Sequence, residues 1–137
     1  LFTEQPEDDA VAIDAYLKAL EPVPSPLLVD GELSPAARRG QKLFLSTRGG
    51  CSRCHPPPLY TDLRMHDVGT RTRFEYVDRF DTPTLVEVWR TAPYLHDGRY
   101  LTLRKLLAEG RHGLRSPREP PLSEGELDDL IAFVLSL

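Results

Sequence analysis

Cysteine, methionine and tryptophan are nearly absent from this chain, at two, one and one residues among 137. Two cysteines exclude a disulfide-dense scaffold. No run approaches the roughly 18 apolar residues of a membrane-spanning helix. The N-terminus lacks the basic and apolar regions of a secretory leader and is acidic from Glu4 to Asp9 instead. Leu1 stands where an initiator methionine would, so the expectation is a processed chain or a piece of a longer one. Apolar residues make up 40% and aromatics 8%, a thin supply for a core built wholly from side chains. Proline is the exception to this scarcity, at 13 residues, and it forecasts long stretches without regular structure.

Basic residues are missing from both ends. Residues 1–37 carry one base, Lys18, against eight acids, and residues 119–137 carry five acids and no base. Residues 38–118 hold the other sixteen bases, fourteen of them arginine, with eight acids. Arginine suits bidentate contact with carboxylate or phosphate. The segment shows no basic helical stripe interleaved with stacking aromatics, which argues against nucleic acid as the partner. Two readings remain: an internal anionic ligand, or a solvated basic surface balanced by acidic helices.

Helical periodicity is plain at the two ends. Residues 7–20 open with acids and place Ile13, Tyr16, Leu17 and Leu20 on one face. Pro22, Pro24 and Pro26 then prevent helix continuation, giving a linker over 22–33. A second helix starts at Ser34 as N-cap with Pro35 in the first helical position, and runs to about Ser46. Shorter helices are expected at 84–91 and 102–109, the latter stopped by Gly110. Ser123 and Glu126 form a capping box ahead of the apolar stripe Leu127, Leu130, Ile131, Val134 and Leu137. Residues 56–81 read as loop, and no strand is expected anywhere. The fold class is mainly α with long loops. The run Ile13-x-Ala15-Tyr16-Leu17-x-Ala19-Leu20 also mirrors Leu130-x-Ala132-Phe133-Val134-x-Ser136-Leu137. Residues 1–21 therefore read as the closing helix of a preceding, related domain, or as a chance likeness of two amphipathic helices.

Both cysteines fall in Cys51-Ser52-Arg53-Cys54-His55. The C-x-x-C-H spacing is the attachment signature of c-type haem. Two thiols on one turn reach the two vinyl groups of a porphyrin edge, and the adjacent histidine ligates the iron. A zinc site would call for a second ligand cluster, and a thioredoxin-type pair for a βαβ context. One covalent haem would also supply the apolar mass that the core lacks. Its propionates give a task to arginines, with Arg53, Arg64, Arg90 and Arg99 as candidates and His96 as a further residue of the haem environment. A carbonyl of Pro56, Pro57 or Pro58 is the expected acceptor for the His55 Nδ1 proton. The side chains able to supply the distal ligand are Met65, His66, His96 and His112.

Several runs outside this motif resemble the C-terminal haem domain of the bacterial di-haem cytochrome c peroxidase and MauG family. They are Thr82-Pro83-Thr84-Leu85, Thr91-Ala92-Pro93-Tyr94-Leu95-His96-Asp97-Gly98 and Thr102-Leu103. Gly40-x-x-Leu43-Phe44 before the motif and Leu59-Tyr60-Thr61-Asp62 after it fit the same pattern. The resemblance covers residues 34–137. It implies a class-I-cytochrome-c-like fold with crossed terminal helices, preceded by one extra helix. It also implies a haem that transfers electrons, with the peroxide-reacting haem in another domain. Where this family's haem often takes a distal methionine, the chain has the run Ala108-Glu109-Gly110-Arg111-His112-Gly113, so the resemblance implies His112 as the preferred distal ligand, with Met65 the alternative. The leading expectation is an electron-transfer cytochrome domain working with a redox partner protein or a neighbouring haem domain. It would lie in the periplasm or another extracytoplasmic space, without a membrane span. The alternatives are a peroxidase or oxidase component with an open iron, and a module used mainly for docking.

Overall fold

The computed structural model describes residues 6–114 and 120–137. The start of the acidic run at Glu4, and Arg115 and Arg118 of the basic segment, lie outside the described residues. Four α-helices order the chain: α1 (Glu7–Ala19), α2 (Pro35–Leu45), α3 (Leu103–Ala108) and α4 (Glu124–Val134). Each of the last three is capped by a side chain, as forecast for α2 and α4. The Ser34 hydroxyl accepts from the Ala37 N–H, the Thr102 hydroxyl from Lys105, and Ser123 with Glu126 completes a reciprocal capping box.

The core is the crossing of α2 and α4, with α3 against α4. Phe44, Leu130 and Phe133 are its most deeply buried large side chains. The crossing is close because Gly40 presents no side chain: a Cβ there would stand 1.8 Å from the Asp129 carbonyl oxygen and 2.9 Å from the Phe133 Cβ. Outside the core, Arg39 binds Asp129 through both nitrogens, at 2.7 and 2.6 Å, and Arg48 clasps both oxygens of Glu126. Arg104 meets Glu124 and Asp128. Arginines of the basic segment thus neutralise the acids of α4, as the balanced-surface reading expects.

Two expectations need correction. The helix forecast at 84–91 is a single 3-10 turn, Val88–Arg90, because Glu87 takes a left-handed backbone at φ +63° that interrupts any longer helix. A strand pair does exist: β1 (Met65–His66) lies antiparallel to β2 (Phe80–Asp81). Two residues per strand are too few to leave an alternation in the sequence. The face of Ile13, Tyr16, Leu17 and Leu20 is exposed among the described residues, and α1 has no buried residue. The segment after α1 is held: Val23 N–H donates to Glu87, and the buried Ser25 hydroxyl donates to the Leu135 carbonyl at 2.7 Å.

Candidate haem site

Five residues separate the end of α2 from the C-x-x-C-H motif, and the chain must turn sharply to reach it. Gly49 lies so close to the end of α2 that a Cβ would be 2.1 Å from the Leu43 carbonyl oxygen. Cys51–Arg53 then form a 3-10 turn, from which Cys54 N–H (3.2 Å) and His55 N–H (2.9 Å) both donate to the Cys51 carbonyl. The two cysteines are not joined in a disulfide. Cys51 packs against the core, and burial pushes its thiol up to about 11. Burial raises the Cys54 thiol too, aided by the Asp62 charge and opposed by Arg53.

His55 is held by main-chain carbonyls, chief among them that of Tyr60. Its Nδ1 lies 2.9 Å from the Tyr60 carbonyl, and because a carbonyl can only accept, Nδ1 carries the proton. The Pro56–Pro58 carbonyls are therefore not the acceptor. The chain passes beyond the three prolines before it turns back, through a left-handed backbone at Tyr60 (φ +53°). Burial lowers the His55 basicity, offset by the Tyr60 carbonyl, the Asp62 charge and, to a smaller extent, a hydrogen bond to the Pro83 main chain. Nε2 is left as the ring atom able to ligate.

His112 faces this ring. It follows α3 in a short turn with left-handed backbone at Arg111 and Gly113, and its N–H donates to the Leu106 carbonyl. The His55 and His112 ring centres lie 6.4 Å apart with planes inclined at 58°. Two imidazoles sharing one metal at bonds of about 2.0 Å would have centres roughly 6 Å apart. The donor set of two thiols, one oriented imidazole and a second imidazole at that span fits a haem c.

The remaining candidates are occupied differently. Met65 sits in β1 and is half exposed. His66 donates to Asp62 at 2.7 Å, and His96 contacts Glu75 at 2.7 Å while stacking on Phe80 at 3.7 Å. Arg99 is bound to Asp97 and to the Thr70 carbonyl, and Arg90 to Glu87. Arg64 is exposed. Arg53 curls back to the Gly50 carbonyl and lines a cleft of about 140 Å³ with Arg48, Gly113 and Leu114, on the His112 side of the motif.

Sequence reasoning missed Asp62. Its N–H donates to the Cys54 carbonyl at 3.0 Å, fixing the loop onto the motif. Burial pushes its carboxyl up, but hydrogen bonds from the His66 and Thr82 side chains and the Arg64 N–H prevail and hold it at about 2. Donor atoms of Cys54, Asp62 and His66 all lie within 4.8 Å of one another. The sequence did carry a signal, since Asp62 and His66 are four residues apart. Also missed are Thr70 Oγ1 and Trp89 Nε1, buried without a hydrogen-bond partner among the described residues.

No protein-family model matches the chain. Among curated proteins it is similar to the hydrazine synthase subunit gamma of Kuenenia stuttgartiensis, at 29% identity over 92% of this chain and 48% of that protein. That alignment runs over 173 residues, longer than this 137-residue chain, so the relative carries insertions. The methylamine utilization protein MauG of Methylorubrum extorquens is 32% identical over 74% of this chain and 34% of its own length. The cytochrome-c peroxidase IdrP1 of Denitromonas iodatirespirans is 29% identical over 77% and 41%. The chain spans about half the length, or less, of the curated relatives it matches. Of solved structures, Kuenenia stuttgartiensis hydrazine synthase superposes with a TM-score of 0.77 at 28% identity, over 92% of this chain and 54% of that one. A MauG-like protein associated with microbial copper homeostasis shares the fold, with a TM-score of 0.64 at 22% identity over 79% and 48%. By sequence and by fold, the chain is a homologue of the di-haem cytochrome c peroxidase-like proteins, among them MauG, IdrP1 and the hydrazine synthase gamma subunit.

Proposed function

We propose that this chain is a c-type cytochrome domain that transfers single electrons. Cys51 and Cys54 would hold one haem through thioethers, His55 would be its proximal ligand and His112 its distal ligand. When bound, the haem iron supplies a one-electron Fe(III)/Fe(II) couple. The carrying observation is the facing pair His55 and His112 at 6.4 Å. Each ring is tethered by a backbone hydrogen bond, one through Nδ1 and one through the main chain of its own residue. An iron closed on both faces favours electron transfer over reaction with peroxide.

Within this reading, residues 34–137 are a class-I-cytochrome-c-like domain, 22–33 its linker, and 1–21 the end of a preceding domain. The electron partner is a redox protein or a neighbouring haem domain, in the periplasm or another extracytoplasmic space where haem c is attached. Among the described residues, no helix is long and apolar enough to cross a membrane.

The test is the intact mass and visible spectrum of the chain expressed with haem-attachment machinery. The expected product carries one covalent haem, is low-spin in both oxidation states, and is unmoved by cyanide or carbon monoxide. His112→Ala should turn the ferric spectrum high-spin, whereas Met65→Ala should leave it unchanged. A high-spin ferric spectrum in the unaltered chain would establish the second reading, a peroxidase or oxidase component with an open iron. That reading draws on the likeness to a cytochrome-c peroxidase.

A further inference from the structure

Tyr60 contributes no side-chain atom to the haem motif, yet its main chain meets His55 and its ring meets the core. The carbonyl accepts from His55 Nδ1 at 2.9 Å. The ring packs edge-on to Phe44, with centres 5.8 Å apart, and to Phe133, at 6.2 Å. Those two phenylalanines meet each other at 5.2 Å in the crossing of α2 and α4. Between ring and carbonyl lies a backbone at φ +53°, a region that side-chain-bearing residues rarely occupy.

The neighbours on both sides are pinned to one segment. The Leu59 carbonyl accepts from the Thr84 hydroxyl at 2.5 Å, and the Thr61 hydroxyl donates to the Thr82 carbonyl at 2.6 Å. Such a conformation persists where its surroundings over-determine it. Here the ring wedge and the two flanking hydrogen bonds do so, and together they aim one carbonyl at one imidazole.

We propose that Tyr60 is the positioning residue of the proximal ligand, through which the packing of α2 on α4 sets the reduction potential. The inference rests on the haem reading above. A carbonyl held against Nδ1–H makes the imidazole a stronger electron donor and so favours the oxidised metal. Releasing that carbonyl shifts the equilibrium toward the reduced form.

Three variants of the haem-loaded chain separate this role from a merely structural one. Tyr60→Phe keeps the ring and should leave the one-electron reduction equilibrium unchanged within about twofold. Tyr60→Gly permits the same left-handed backbone without the wedge. Its equilibrium against a chemical reductant should move about tenfold toward the reduced form, or about 59 mV for one electron. Phe133→Leu loosens the wedge from the α4 side and should move it in the same direction by a smaller factor. It decides the question if Tyr60→Gly does not fold. Glycine or leucine variants that attach haem, keep a low-spin spectrum and retain the potential of the unaltered chain would overturn the role of Tyr60. An unaltered chain that gains no haem mass would instead overturn the haem reading itself.

Discussion

Glu126 is the third residue of α4 and serves the helix and the haem-motif loop together. Its carboxylate accepts from Arg48 and from the Ser123 N–H and hydroxyl. The Arg48 guanidinium, then the Ser123 groups, hold it at about 2, far below the ordinary carboxylate range. Because the folded value is depressed, the stabilisation is complete above the unfolded pKa of about 4.3 and disappears as pH falls through about 2. Melting temperature should therefore decline between about pH 4.5 and pH 2, and Glu126→Gln should flatten that decline. A residual slope should remain in the variant, since Asp62 is held in the same range. At this scale the sequence offers candidates where chemistry is written in contiguous letters, as in Cys51, Cys54 and His55, which the fold keeps on one turn. The acceptor for His55 was not legible, because a main-chain carbonyl has no letter of its own. Which carbonyl serves depends on the turn made after the prolines.

Helices α2 and α4 meet at a residue defined by what it lacks. Gly40→Ala would place a methyl group against the Asp129 carbonyl, which is backbone and cannot move aside. The crossing must then open, at about 3 kcal/mol by the usual magnitude for overpacking. Urea denaturation should show the loss as a lower midpoint with an unchanged slope. Phe133→Ala acts on the same crossing by leaving a void and should cost about 3–5 kcal/mol. These helices were readable from Ser34, Pro35, Ser123 and Glu126, since capping is a local event between residues three apart. The 84–91 segment was misread for the opposite reason. Its apolar residues suit a helix, but Val88 and Leu85 are apolar because they pack on the core from a loop. Periodicity cannot separate the two cases in eight residues.

Across the whole molecule, α1 stands apart from the energetics of the rest. It buries nothing, and 13 residues are a marginal length for an isolated helix in water. A chain starting at residue 22 should keep its melting temperature within about 2 °C while losing helical ellipticity, because the contacts of Val23 and Ser25 are retained. The uneven charge of the sequence was legible as pattern, and its resolution into Arg39, Arg48 and Arg104 pairing with α4 required the fold. That same crossing joins positions far apart along the chain: Arg39 and Asp129 are 90 residues apart, Arg48 and Glu126 are 78 apart. The His55–Tyr60 bond spans five. Closing the long loop costs roughly 2.5 kcal/mol more chain entropy than closing the length between His55 and Tyr60, by the logarithmic scaling of loop closure. The cheap local closure is nonetheless not self-sufficient, since the left-handed Tyr60 within it is wedged by Phe44 of α2 and Phe133 of α4. The costly closure between the distant helices is thus what completes the cheap one beside the motif.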